Sequence, residues 1–355
     1  MTREDIVECI KYGEPISEKN LEGIDLSGLK LTDVVFSRCA LAKARFSNTR
    51  GKDAVFDNCD LSDADFSDSK IEAAMFSECN LDKANFNRIN TERTTFVKCN
   101  SGNNSFLESN LPECTFMETD LSGASFLASD LSGATFMDCQ MQDVDLRRTT
   151  LFKTVFFEMD MTPLKINEAN FHTTVFVECI LNGLDLQGLN FQGAQLSSAS
   201  LVGANLRGAN LTQACLLESD LRDADLTGVT APLALFCQAK LHRAHLGGAL
   251  LKNANFQGAD LTEAVLDGAD IPEAVLSEAN LTRASLRKAN LAYSIMEHAN
   301  LTQTNMENTD LTQTELHQIV EEKTNWHGAN KKKARKPDKD LIQAEQWTHE
   351  NHDGV

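Results

Sequence analysis

The chain has 355 residues, of which 42% are hydrophobic and 24% charged, and its formal net charge is −19 with a pI near 4.8. This apolar content argues against a wholly disordered chain, and the acidic balance argues against nucleic acid as a direct partner. No apolar run reaches the about 18 residues that a membrane span needs, and the first residues lack the basic and apolar regions of a secretory signal.

The first predicted element is a short helix within residues 1–15. Thr2 and Asp5 have the spacing of a capping box, Ile6 begins an apolar helical face, and Gly13 is a stop signal. A repeat structure with open ends needs such a cap, because exposed strand edges pair with other chains. We therefore expect residues 1–15 to cap whatever follows them.

A pentapeptide period follows, without a slip of register, from Leu21 to Leu316. Of its 60 central positions, 56 hold Leu, Phe, Met or Ile, and 48 of the 60 positions two places earlier hold Ala, Cys, Ser or Thr. A period of five fits neither an α-helix nor a β-strand. It predicts a chain that turns a corner in every pentapeptide and places one large and one small side chain inward each time.

A second period gives the size of the coil. Phenylalanine recurs in steps of 20 at one series of central positions: Phe36, Phe56, Phe76, Phe96, Phe116, Phe136, Phe156 and Phe176. Identical residues at this interval predict four pentapeptides per coil, with like side chains stacked in ladders and a core shared by neighbouring coils. Residues 16–320 would then form about 15 coils of about 20 residues, on the same reasoning.

Four central positions lack a large side chain: Gly51, Thr91, Ser101 and Ala231. Because a buried Leu or Phe contributes about 2 kcal/mol, we expect the coils around these positions to be the weakest.

Segments such as Ala204-Asn205-Leu206 and Ala259-Asp260-Leu261 resemble the pentapeptide-repeat family, whose loose motif is A-[DN]-L-x-x. The resemblance covers residues 21–316. It implies an all-β solenoid, a right-handed quadrilateral parallel β-helix with short helical caps, in which the central residue and the residue two before it point inward. The expected domains are a cap helix over 1–15, the β-helix over 16–320, and a C-terminal region over 321–355.

The C-terminal region begins where the pattern stops. Residues 317–326 are predicted to form a short capping helix that carries Trp326. Lys331 to Lys336 are predicted to be a solvated basic linker, and 338–355 a poorly ordered tail.

The cysteines are the first candidates for chemistry, since Cys39, Cys59, Cys79 and Cys99 are spaced by 20. Stacked Cβ atoms would lie about 4.8 Å apart, beyond the range of about 3.5–4.5 Å for a disulfide. No histidine shares the ladder to complete a zinc site. We therefore predict inward thiols that act as small hydrophobes in a reduced, cytoplasmic bacterial protein. Export by a pathway without a signal peptide is compatible with the same sequence.

No sequence motif of a common enzyme class is present: there is no Walker-A loop, no G-x-S-x-G and no H-E-x-x-H. The eight histidines are scattered, and the carboxylates lie at outward positions of a convex surface, where no pocket would shift their pKa values. We predict a protein with no enzymatic activity, no catalytic residue, no cofactor and no metal.

Two functions from different classes remain. The first is an interaction scaffold or adaptor, because a filled solenoid offers only its outer faces and ends to a partner. The opening stretch, from Thr2 to Leu29, also resembles pentapeptide-repeat segments associated with bacterial type VI secretion, which would imply an accessory or effector-associated protein. The C-terminal end is a candidate surface for a homodimer.

The second is DNA mimicry. Some family members imitate B-DNA and occupy the DNA site of a type II topoisomerase (gyrase), which protects it from inhibitors. Residues 21–320 carry 40 acids and 23 bases, and the stretch from Cys99 to Leu146 has eight acids and no basic residue. B-DNA carries one charge per about 1.7 Å, which is denser than this surface, so the scaffold is favoured.

One outer face gives the sharpest prediction of a site. The position after each centre faces solvent, yet five successive coils place an apolar residue there: Val97, Met117, Met137, Phe157 and Val177. The next position holds four acids in register: Glu118, Asp138, Glu158 and Glu178. Like charges opposite one another destabilise a sheet, so stability alone gives little reason to repeat them.

We predict a docking strip for a protein partner that is apolar along one line and basic beside it. The alternatives are that the tail or a dimer contact covers the strip, or that ladder stacking alone favours these residues.

Overall fold

The computed structural model describes residues 1–335, and the tail predicted over 338–355 lies outside the described residues. The chain divides into two compact units, Met1–Ser200 and Leu201–Val355. In each unit the backbone of one coil pairs in parallel with that of the next, as in Asn85↔Ser105 and Asn205↔Asp225. The predicted fold class, a parallel β-solenoid, is confirmed.

Helix α1 spans Arg3–Tyr12 at the start of the first unit. Its capping box forms as predicted: the Asp5 amide donates to Thr2 Oγ1 over 3.3 Å, and the Thr2 amide donates to Asp5 Oδ2 over 2.7 Å. Gly13 ends the helix with φ 68°, the left-handed conformation that glycine adopts without strain. Ile6 is fully buried, and the Arg3 guanidinium donates to the Asp25 carbonyl over 2.6 Å, so the helix is fastened to the coil below it.

The ordinary corner of the solenoid is a type II turn. At one such corner the Ala44 amide donates to the Leu41 carbonyl over 3.0 Å, and Lys43, between them, has φ 59°. The next coil holds the corner in place, because the Leu41 and Lys43 amides donate to its carbonyls over 2.7 and 2.8 Å. These bonds offset the cost of a positive φ at a residue other than glycine.

The extended strands of the described chain all lie in the first unit. Their bounds are β1 Ile16–Ser17, β2 Val35–Ser37, β3 Arg50–Lys52, β4 Val55–Asp57, β5 Lys70–Glu72, β6 Met75–Ser77, β7 Thr95–Val97, β8 Thr115–Met117, β9 Thr135–Met137, β10 Val155–Phe157 and β11 Val175–Val177. Nine of them form one parallel sheet in the order β1-β2-β4-β6-β7-β8-β9-β10-β11, and β3 pairs with β5. Below, this nine-stranded assembly is called the long sheet.

The long sheet covers fewer coils than the about 15 that the sequence predicts for the whole repeat. The long sheet takes one strand from each coil between Ile16 and Val177 and ends there, and later coils are joined by isolated parallel bridges. In the first unit the corner after the long sheet lacks the type II turn bond. Beyond the sheet, on the equivalent corner, the Ala199 amide donates to the Leu196 carbonyl over 3.1 Å. The turn bond of this corner is therefore present where the long sheet has ended.

The core of the first unit is built from phenylalanine ladders. Phe116 stacks on Phe96 and Phe136 with centroid distances of 4.8 and 4.9 Å, and its edge meets Phe106 and Phe126 at 6.2 and 5.6 Å. Both geometries are favourable for aromatic rings. All of these rings are fully buried or nearly so, as the period of 20 predicted.

Gly51 differs from the other three central positions without a large side chain. A Cβ added to Gly51 would lie 2.6 Å from the Leu31 carbonyl carbon, so the backbone of the preceding coil already fills this space. A larger side chain at Gly51 would meet that backbone, and the expected weakness of this coil stays a prediction. Thr91, Ser101 and Ala231 are fully buried, as predicted for central positions.

The helix predicted over 317–326 is not formed. Val320 and Asn325 instead form parallel bridges with Asn300 and Asn305, and the Leu301 amide donates to the Val320 carbonyl over 2.6 Å. The physical reason is that the coil before this segment offers a row of backbone donors that a helix would leave without acceptors.

The described part of the predicted basic linker packs on the last coil and forms a 3₁₀-helix over Lys331–Lys333. The Gln313 amide donates to the Lys333 carbonyl over 2.9 Å, and Lys331 Nζ lies 4.4 Å from the centroid of the Trp326 ring. Arg335 forms an ion pair with Glu315. Residues 331–335 therefore close the end of the second unit.

Candidate functional site

The cysteine ladder lies at the corner that follows the long sheet. Cys39, Cys59, Cys79 and Cys99 are buried, and within residues 1–335, which include all ten cysteines, no disulfide is present. Each of these thiols faces a backbone carbonyl of an earlier coil. The Cys79 thiol donates to the Phe56 carbonyl over 3.3 Å, and Thr119 makes the same bond to the Phe96 carbonyl.

Sequence reasoning did not predict this hydrogen bond, since it expected the thiols only to fill space as small hydrophobes. The carbonyl of a phenylalanine that is already paired in the sheet, as Phe56 is with Phe76, accepts a further hydrogen bond from a thiol or hydroxyl of the following coil. The recurrence of Cys in one series of positions, with Thr119 in the same series, was the available signal.

We expect the thiols of Cys114, Cys139 and Cys179 to be unreactive while the protein is folded. Burial raises the pKa of Cys114 to about 12 and the pKa of Cys139 and Cys179 to about 11. Because the thiolate is the nucleophile, raised pKa values leave almost none of it at pH 8. Iodoacetamide at pH 8 should therefore alkylate these three at least about tenfold more slowly in the native protein than in the guanidinium-unfolded chain. Mass spectrometry of peptides measures each site, and equal rates in both states would contradict the prediction.

The structure gives no candidate for metal binding or for a membrane span among the residues that it describes. No three His, Cys, Asp or Glu side chains of residues 1–335 are grouped so as to hold a metal ion. No helix in the same part of the chain is long and apolar enough to cross a membrane.

The predicted strip lies on the outer surface of the long sheet, within the first unit. Its five residues end strands β7 to β11, and the sheet pairs Val97 with Met117, Met117 with Met137, and Met137 with Phe157, which in turn pairs with Val177. They therefore form one unbroken column. Each is half-buried, because the side chains above and below cover part of it.

A second outward column runs beside the strip and was not predicted. The first residue of each of the same five strands also points outward, since side chains alternate along a strand. This column, called the threonine–valine column, consists of Thr95, Thr115, Thr135, Val155 and Val175, all half-buried. The two columns together make a face of methyl, thioether and aromatic groups with the hydroxyls of three threonines. The β-branched residues before each phenylalanine were the available signal.

The four predicted acids lie on the corner next to the strip, and all four are exposed. Their φ values are 49, 52, 52 and 51° for Glu118, Asp138, Glu158 and Glu178. Lys98, in the coil before, approaches Glu118 with 3.6 Å between Nζ and Oε2. Within the described residues no ion pair involves the other three acids, so they are available to a basic partner.

The backbone at this corner does not require acidic residues, since Arg38, Asn58 and Lys98 hold the equivalent positions of earlier coils with φ values of 52, 50 and 51°. A left-handed φ favours glycine, and glycine holds several other corners of the same unit, including Gly123 and Gly133. None of the four acidic positions uses glycine or asparagine. Stacked carboxylates also repel one another. The four acids are therefore kept against their mutual repulsion.

The sequence matches the family model described as "Pentapeptide repeat region" over residues 29–106. It also matches the model described as "Pentapeptide repeats (8 copies)" over residues 105–138, 114–151, 190–228, 239–278 and 279–318. Together these matches cover most of the repeat. No curated protein matches the chain.

Several solved structures are similar to parts of the chain. HetL, a pentapeptide repeat protein involved in heterocyst differentiation regulation from the cyanobacterium Nostoc sp. strain PCC 7120, is 27% identical, with 63% of this chain and 90% of its own covered and a TM-score of 0.36. Rfr23 from the cyanobacterium Cyanothece 51142 is 36% identical over 26% of this chain and 60% of its own, with a TM-score of 0.25. A trypsin-treated form of QnrB1, a plasmid-mediated fluoroquinolone resistance protein, is 24% identical over 44% of this chain and 82% of its own, with a TM-score of 0.27.

Proposed function

Because the chain belongs to the pentapeptide-repeat family, we propose that it is a non-catalytic interaction scaffold that docks a protein partner on the long sheet. The docking face consists of the strip, the threonine–valine column and the acidic corner beside them. A solenoid whose core is filled by side chains has no interior site to offer, so its outer faces carry the interaction.

One observation carries this proposal: five outward apolar residues stack in an unbroken column beside four carboxylates in register. The arrangement is local. Earlier strands of the same sheet place Ser37, Asp57 and Ser77 at the equivalent position, so the backbone geometry alone does not select apolar residues there. An apolar row next to unpaired charge is typical of an interface that has a hydrophobic centre and a polar rim.

The test compares partner capture by two matched variants. Phe157→Ser with Met137→Ser removes the middle of the strip, and Val35→Ser with Val55→Ser changes outward, half-buried residues of the same sheet outside it. We expect the strip variant to lose at least about tenfold in affinity for the partner isolated from the native host, because central apolar contacts dominate such interfaces. The control variant should bind as the unchanged protein does.

Unchanged circular dichroism and melting temperature in both variants ensure that the loss reflects docking and not unfolding. Full partner affinity of a folded strip variant would remove the strip as the site.

DNA mimicry of a type II topoisomerase is the second candidate, supported by the acidic stretch from Cys99 to Leu146. A mimic depends on charge spread over the surface, and a docking strip depends on one apolar column. Capture of the topoisomerase, competed by duplex DNA and insensitive to the strip variant, would favour the mimic. Capture of secretion components would favour the role in type VI secretion, which stays a prediction, as does dimerisation through the C-terminal end.

A further inference from the structure

We propose that the partner segment is a basic amphipathic α-helix that lies along the strip, with its apolar side on the two outward columns and its basic flank over the acidic corner. This inference rests on the proposed docking function and adds the chemistry of what docks.

The dimensions of the face select a helix along the column. Each strand has only three residues, so an occupant aligned with the strands would meet few apolar groups. Along the column, by contrast, five apolar groups succeed one another over about 20 Å. A helix presents an apolar row about every 5.4 Å, close to the coil spacing of about 4.8 Å. An extended strand repeats its side chains on one side about every 6.6 Å, and so falls out of step with the coils sooner.

The charge distribution decides where the basic residues of that helix lie. On one side of the face are Glu118, Asp138, Glu158 and Glu178, of which only Glu118 has an ion pair within residues 1–335. The corner on the other side is mixed, with Arg93, Glu113, Gly133, Lys153 and Thr173 at the equivalent positions. A partner with lysine or arginine on one flank alone is therefore complementary.

A second copy of the chain fits this face poorly. Two long sheets packed face to face about a two-fold axis across the columns would bring acidic corner against acidic corner. A two-fold axis along the columns would place the acids opposite the mixed corner, where Lys153 stands near one of them and Glu113 adds a like charge. Both arrangements leave carboxylates without a partner, which is unfavourable. The acidic corner equally repels phosphate-rich surfaces.

The experiment uses a synthetic peptide of about 14 residues, the length of helix that covers about 20 Å. It carries leucine at i, i+3, i+4, i+7 and i+11 and lysine along one flank, and the matched peptide has glutamate in place of each lysine. Affinity for the full-length protein is measured by fluorescence anisotropy, with a scrambled peptide of the same composition as a second control.

We expect the lysine peptide to bind at least about tenfold more tightly than either control peptide, and the Phe157→Ser, Met137→Ser variant to lose that binding. Asp138→Asn with Glu158→Gln should weaken binding and flatten its salt dependence. Glu78→Gln, on the same corner but away from the strip, should leave binding unchanged.

Equal binding of the two charged peptides, or binding that survives the strip variant, would overturn the proposal. A stable dimer that dissociates when the strip is mutated would also overturn the proposal, because a second copy would then be the occupant. If the native partner loses affinity for the strip variant while no helical peptide binds, docking on the strip stands and the helix is overturned.

Discussion

Replacing Phe116 by alanine should lower the free energy of unfolding by about 3–5 kcal/mol, the range measured for removing a buried aromatic side chain. Phe116 stacks between Phe96 and Phe136 and meets two further rings edge-on, so the substitution leaves a cavity lined by four rings. The neighbouring coils are held at a fixed spacing by backbone hydrogen bonds and can relax little toward the cavity.

Guanidinium unfolding followed by circular dichroism at equilibrium measures this loss. Phe116→Leu, which keeps most of the volume, is the matched control and should cost less than half as much by the same reasoning. A loss below about 1 kcal/mol for the alanine variant would show that the ladder rings pack more loosely than their distances indicate.

The reverse effect is expected in one coil, where Ser101→Leu with Asn104→Ala should raise the free energy of unfolding by about 2 kcal/mol or more. Ser101 is fully buried and Asn104 is 1% exposed, and within the described residues Ser101 Oγ and Asn104 Nδ2 have no hydrogen-bond partner. Leucine at 101 restores the ladder between Leu81 and Leu121. Alanine at 104 removes an unsatisfied amide, and the Ala84 amide, which also donates to Asn104, keeps its 2.9 Å bond to the Leu81 carbonyl.

Thr91→Leu is the matched control for this gain. Thr91 also replaces a ladder residue, but its hydroxyl donates to the Ile71 carbonyl and contacts the Thr94 hydroxyl, so the leucine variant gains apolar contact and loses satisfied hydrogen bonds. We expect the control to gain less than the double variant in chemical denaturation. Hydrogen exchange should show slower opening around residue 101 in the double variant, and faster exchange there would contradict the explanation.

The candidate site was predictable in part. The period of 20 placed Val97, Met117, Met137, Phe157 and Val177 in one outward column, because an unbroken register needs no knowledge of distant contacts. It also placed the four acids on one corner. The threonine–valine column was missed because sequence reasoning treated each pentapeptide as one centre with solvated neighbours. A short strand of this sheet has two outward residues, and the strand itself depends on pairing with the coils on either side.

The sequence by itself determined the class of fold, the inward positions, the cap helix and the coil length of 20, since these follow from local periodicity and local capping. Only the tertiary structure decided which faces are strands and which are turns, because strands pair with the backbone of neighbouring coils, as Phe56 pairs with Phe76. It also showed that the backbone of the preceding coil occupies the space beside Gly51. Likewise, backbone donors of the coil before residues 317–326 hold that segment in the solenoid. In each case the deciding partner lies in a neighbouring coil, beyond the reach of local preference, and contributes a backbone group whose hydrogen bond or volume must be accommodated.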